Sequence, residues 1–311
     1  MTALVLPLCA TPVLSQEADD DEGRLVRFLE DTLSSDGGLQ FDLQGFRGAL
    51  SSSAELDALT ISDQEGVWLT IETIVLDWNR SAILRGAVDV TALTAERVIL
   101  DRLPILEPAA ESPETEPFSL PDLPVSIEID LAEISQIDIA ESVLGEAITA
   151  EFSAAISLIS GSADIDLSLV RRDATEGEVQ LQAAFDASTR EADVNLRVFE
   201  GPGGLVSQAL GVPGDPSMGV GLTGAGPLSE YTAEFSLETD GAQRLTGQVM
   251  TTTTEDTTQS FDLALSGDLT PLLTGDAVSF IGDNTDLRAQ ATRAPDGALS
   301  LPELSLRSGA L

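Results

Sequence analysis

Apolar and polar residues alternate along most of the chain from Gly37 onward. Val125–Leu131, Ala163–Leu169, Val179–Phe185, Val194–Val198, Ala233–Glu238 and Phe261–Ser266 all show this period of two. Successive side chains of a strand point to opposite faces, so each segment predicts a ribbon with one oily and one wet side. On this reading Ile127, Ile129, Leu131, Ile165, Leu167, Leu169, Leu181, Phe185, Leu196, Phe235, Leu237, Leu263 and Leu265 share the oily face. Asp130, Asp164, Asp166 and Asp262 share the wet one. A long series of such ribbons predicts an all-β fold: one elongated, mostly antiparallel sheet. The chain offers no set of amphipathic helices to cover the oily face.

Breaks in the alternation divide the chain. Residues 1–15 hold the short apolar run Ala3–Ala10, and a cut at Ser15/Gln16 would suit a signal peptide. That run is too short to span a bilayer, which takes about 20 apolar residues. Its basic leader is missing, so the start reads as truncated or misassigned. Residues 16–38 open with Asp19–Glu22, acidic charge suited to a helix N-terminus. Leu25, Phe28, Leu29 and Leu33 then fall at helical spacing before Gly37 and Gly38, predicting a short N-terminal helix. Residues 39–103 form a first β unit. Residues 104–124 are too rich in Pro and Glu to pair in a sheet. Strands resume over 125–311, interrupted at Gly201–Pro216, where Leu205–Leu210 suits one or two helical turns. No capping element follows the last segment, Leu299–Arg307, so the pattern reads as continuing beyond Leu311.

Composition narrows the function classes. The chain has 53 acidic and 15 basic residues, a net charge of -38, yet its mean hydropathy is +0.12. Both hold together when charge and grease are sorted onto opposite faces. A surface this acidic has no footprint for nucleic acid and no polybasic grip on anionic lipid. There is no His, every cation is Arg, and the sole thiol is Cys9. Ser-His, Cys-His and Ser-Lys catalysis and Schiff-base lysines are therefore excluded within the chain, as are His-based zinc or copper sites. We expect no enzyme, no cofactor and no metal.

Several details tempt a sharper reading. Asp164 and Asp166 could pair for metal or acid/base work, but they suit the solvated face of a strand better. The acidic runs lack calcium-loop spacing. Trp68 and Trp78 suit packing or a sheet edge better than sugar stacking. Gly224–Pro227 reads as a turn rather than a phosphate loop, and Thr251–Thr254 as a β-prone run.

Phe41–Leu50, Leu56–Leu69 with its Gly-Val-Trp-Leu strand, Leu76–Asn79, Leu84–Val90 and Leu93–Val98 come in order with consistent gaps. Together they resemble the N-terminal region of TamB proteins, a component of the translocation and assembly module of Gram-negative bacteria. Gly224–Leu228, Tyr231–Leu237 and Asp240–Val249 look similar to the same family more softly. The likeness covers roughly residues 40–103 and 205–250. The family usually begins with an uncleaved membrane anchor, which this N-terminus does not match. The resemblance implies a repeating β-groove of the AsmA-like kind, a curled open sheet with an aliphatic inner face. It also implies a periplasmic location in the cell envelope, with inner-membrane association left open. The implied partners are an outer-membrane barrel protein and phospholipid acyl chains, and the implied roles are outer-membrane protein assembly and inter-membrane lipid transport. Physically, a trough of Leu, Val and Ala suits acyl chains, each buried methylene contributing about 0.8 kcal/mol. The alternative is a structural or adhesive β-solenoid whose apolar face closes on itself as a dry core.

Overall fold

The computed structural model describes residues 39–48, 51–105, 126–254, 258–275, 284–294 and 297–309, with the single positions 278 and 281. The expected signal-like segment, the N-terminal helix and most of the Pro/Glu-rich segment lie outside these residues.

The described residues form one sheet of 15 strands whose spatial order is their sequence order. The first four are β1 (Gln40–Gln44), β2 (Ser53–Asp63), β3 (Gly66–Trp78) and β4 (Ala87–Leu100). Then come β5 (Ser126–Ile139), β6 (Ile148–Ile159), β7 (Ser162–Arg171), β8 (Gly177–Asp186) and β9 (Glu191–Glu200). The remainder are β10 (Met218–Pro227), β11 (Glu230–Thr239), β12 (Ala242–Thr253), β13 (Gln259–Gly267), β14 (Thr285–Arg293) and β15 (Leu299–Ser308). Every neighbouring pair is antiparallel except β4 and β5, which run parallel. The sheet is open and curled, with β1 and β15 at its two ends and not paired to each other.

The parallel step falls where the Pro/Glu-rich segment lies. A parallel neighbour needs a long crossover rather than a hairpin, and the alternation of the two strands alone does not reveal their direction. Asp63 anchors the outgoing chain: its carboxylate accepts from Arg102 Nη1 and from the Ile105 N–H, each at 2.7 Å. Elsewhere tight hairpins suffice. Ser160-Gly161 and Asp240-Gly241 join their strands with positive φ at both residues, the backbone that two-residue hairpins require.

The alternation is not uniform. Its apolar positions step by three instead of two from Leu56 to Leu59, Ile71 to Ile74 and Ala95 to Val98. Pairing skips a residue at each of these steps while the register is kept on either side, and at the middle one Thr73 takes φ 53°. That conformation costs a β-branched residue about 1–3 kcal/mol. β5 carries two such steps, and its pairing with β6 slips between Ile129 and Ala132 and again between Ile134 and Ile137. These bulges put an extra residue into one strand and sharpen its bend. β6 has no such step in its own sequence.

One expectation is corrected. Gly224–Pro227 is the end of β10, not a turn: Gly224 pairs with Val194 on one side and Ala233 on the other. Tyr231 occupies the space above it, since a Cβ on Gly224 would stand 2.7 Å from the phenolic oxygen. The glycine serves a close approach within the sheet.

Candidate functional site

Register assembles the apolar residues into rows that cross the sheet. One runs Leu76, Leu93, Ala132, Ala154, Leu167 and Leu181. It continues through Leu196, Leu222, Phe235, Gly247, Leu265, Leu287 and Leu306. A second, parallel row contains Val90, Ile129, Ile156 and Ile165 and continues through Val194, Ala233, Val249 and Leu263. A third holds Ile134, Phe152, Leu169, Val179, Val198, Val220 and Leu237. Ile127 and Phe185 belong to a shorter fourth row, through Leu158 and Ala163. Directly opposed side chains on one face touch, so the rows merge into a continuous aliphatic band.

All the expected lining residues fall on these rows except Leu131. The slip after Ile129 hands its place to Ala132, and Leu131 is left between paired positions with 37% of its surface exposed. Asp164 and Asp166 are exposed, on the face opposite the rows, and Gln182 Nε2 donates to Asp166 Oδ2 at 3.0 Å. No group of His, Cys, Asp and Glu able to hold a metal ion exists among the described residues.

The band is covered lightly. Alanines such as Ala95, Ala150 and Ala154 make up half of its buried members, while the large Ile165, Leu167, Leu169, Leu181 and Leu196 at its centre stay half-buried. A closed dry core would bury the large aliphatics first. Among the described residues, most of the cover lies along one long edge, where longer connections return. There the helix Leu205–Leu210 and the 3-10 turn Thr270–Leu272 bring Val206, Val212 and Leu272 against Met218, Leu237, Val220 and Leu245. The opposite edge carries mainly short hairpins and the helical turn Arg80–Ile83.

An ion cluster fastens the covered edge. Arg171 lies in register with Ala150, on the apolar face, and its side chain is only 7% exposed. Its guanidinium donates to Glu200 Oε1 at 2.9 Å, and to Glu146 Oε1 and Asp173 Oδ1 at 3.0 Å each. The other Glu200 oxygen accepts from the Val206 N–H at 2.7 Å, tying the helix to the sheet. Gly177 and Gly204 leave the room: a Cβ on either would stand within 2.5 Å of the Arg171 or Glu200 side chain. Burial pushes the Asp173 carboxyl up, but hydrogen bonds from Arg171 and from the Thr175 and Thr149 N–H groups outweigh it and hold it below the usual carboxylate range. Alternation alone misses this cluster. Its signal is an Arg at an oily-face position, Arg171, followed by Asp173 and the small Gly177.

A hollow of about 830 Å³ lies on the other, polar face. Glu178, Gln180, Arg197, Glu234, Ser236 and Gln248 line it, together with Gly219 and Gly221. These two glycines sit at wet-face positions of β10, where the missing side chains leave the depression. Phe199 adds an exposed apolar side chain to its wall, but the hollow opens on the face opposite the aliphatic band, so the two are separate features.

No family model, no curated protein and no solved structure matches this chain.

Proposed function

We propose that the aliphatic band carries phospholipid acyl chains, and that the chain acts as a TamB-like component of a Gram-negative envelope module. In that role it would pass lipid across the periplasm and assist outer-membrane protein assembly with an outer-membrane barrel partner. The observation that carries the reading is the row through Leu93, Leu167, Leu181, Leu196, Leu265 and Leu306, exposed at Leu93 and Leu306, half-buried at the others, and crossing the sheet from strand to strand. Such a surface has no hydrogen-bonding groups to desolvate, and water leaves it at a gain of about 25 cal/mol per Å² covered. It recognises chain length and fluidity rather than a particular shape. The open sheet suits this conduit better than the solenoid alternative, whose dry core needs closure.

Photocrosslinking side chains at Leu167 and Leu181 test the reading. Phospholipid captured there, and not at Asp164 or Asp166, is the expected result. Equal capture on both faces, or none on either, overturns it.

A further inference from the structure

The largest exposure of any big apolar side chain described is at Leu84, 90%, and Ile83 beside it is 51% exposed. Both belong to the connection between β3 and β4, on the edge of the sheet that is not covered by the longer connections. The turn is built rather than slack. Asn79 caps Arg80–Ile83, its side chain accepting from the Ser81 N–H at 3.2 Å and donating to Asp89 Oδ2 at 3.0 Å. Ala82 is fully buried beneath it. A buried alanine on the inside and two bare aliphatics on the outside make a fixed apolar tip.

Arginines flank the tip on both sides. Arg80 and Arg85 are exposed and have no carboxylate partner among the described residues. Most arginines near the opposite edge are engaged: Arg102 by Asp63, Arg171 by three carboxylates, Arg172 by Glu151 and Arg244 by the Thr239 hydroxyl. Arg190 and Arg293 lie farther along the same edge as the tip, again without a carboxylate partner among the described residues. The aliphatic rows begin directly behind the tip, at Trp78, Val88 and Val90.

We propose that the Arg80–Arg85 turn is a membrane-touching tip. Ile83 and Leu84 enter the interfacial layer of a bilayer, and Arg80 and Arg85 bind lipid phosphates, as guanidinium groups do with paired hydrogen bonds. Lipid then leaves the bilayer into the rows behind Trp78 and Val90. The membrane is zwitterionic. A chain with net charge -38 is repelled by an anionic surface, whereas a zwitterionic headgroup offers phosphate to the arginines and an ammonium to neighbouring carboxylates such as Asp89. Contact through two aliphatics is weak and reversible, as a transfer step requires. The tip deepens the conduit reading by placing where lipid is taken up, and its contact with membrane is measurable separately from transport.

Flotation of the purified chain with vesicles tests the tip. Binding to phosphatidylcholine–phosphatidylethanolamine vesicles is expected, and weaker binding when phosphatidylglycerol is added. Leu84→Asp should lower it by about tenfold, as should the double change Arg80→Glu with Arg85→Glu. Phe199→Asp, at an exposed apolar position on the polar face, should leave it unchanged. Circular dichroism of each variant reports that the sheet is retained. Binding indifferent to Leu84→Asp, binding that needs anionic lipid, or no flotation of the folded chain overturns the proposal, the last assigning the tip to a protein partner. Flotation as expected with no lipid captured at Leu167 keeps the tip and removes the conduit.

Discussion

Arg171 and Glu200 meet at 2.9 Å on the apolar face of the sheet, with side chains 7% and 6% exposed. The pair joins β7 to the end of β9 across β8 and, through Val206, to the helix that covers this edge. Two charges held out of water are expensive unless each is hydrogen-bonded, and here both are.

Removing the cation should therefore cost more than removing the anion. Arg171→Met leaves Glu200, Glu146 and Asp173 without compensation and should destabilise by about 3–5 kcal/mol. Glu200→Gln keeps acceptor and shape and should cost about 1–2 kcal/mol. Denaturant melts measure both. Hydrogen exchange at the Val206 amide should accelerate in each variant before exchange in β7 does, since the helix is held from Glu200.

Register makes a prediction at adjacent positions of one strand. Leu131→Asp, between paired positions and partly exposed, should change stability by about 0.5 kcal/mol or less. Ala132→Asp, in the row between Leu93 and Ala154, should cost about 1–3 kcal/mol. Uninterrupted alternation from Ile127 predicts the reverse order. Thermal melts of the two variants decide between them.

Acid should loosen the anchors at the covered edge. Hydrogen bonds from Arg102, then from the Ile105 and Glu65 N–H groups, hold the Asp63 carboxyl well below the ordinary range despite opposing burial. Asp173 is lowered too. A carboxyl whose folded pKa is depressed adds stability that is complete above its unfolded value, about 3.9. That stability is lost as pH falls through the folded value. Melting temperature should thus hold from neutral pH to about 5 and fall below about 4. Asp63→Asn should melt lower at neutral pH and show a shallower acid slope. An unchanged slope would detach Asp63 from the acid response.

Charge in the aliphatic band should stop lipid capture before it stops folding. Leu167 is half-buried and its row stays open to water, so Leu167→Ala should leave lipid capture nearly intact. Leu167→Asp should abolish capture at Leu181 while costing about 1–3 kcal/mol. Loss of the whole fold on Leu167→Asp would point to a closed dry core. Capture at Leu181 with circular dichroism of the same sample separates the two.

Alternation by itself determined that this chain is a sheet with one oily and one wet face. A strand has a fixed period of two, so Ile165, Leu167 and Leu169 declare their side together, with Asp164 and Asp166 opposite. The absence of His and Lys likewise bounded the chemistry before any fold was known. Tertiary structure decided the rest, because it depends on what lies beside each strand. Leu131 and Ala132 exchanged roles because a bulge is a property of two strands, visible in β5 only as a three-residue step that reads like ordinary alternation for one turn of the pattern. The direction of β5 relative to β4 is written in neither strand's alternation, and the composition of residues 104–124 predicts only a break in the pattern. Gly224–Pro227 suits a turn by composition, because glycine and proline carry no record of Tyr231 resting over Gly224. Arg171, Glu200, Glu146 and Asp173 came together from separate elements. Arg80, Leu84 and Arg85 were written side by side, but only the folded edge shows that Ala82 turns inward and Leu84 faces water.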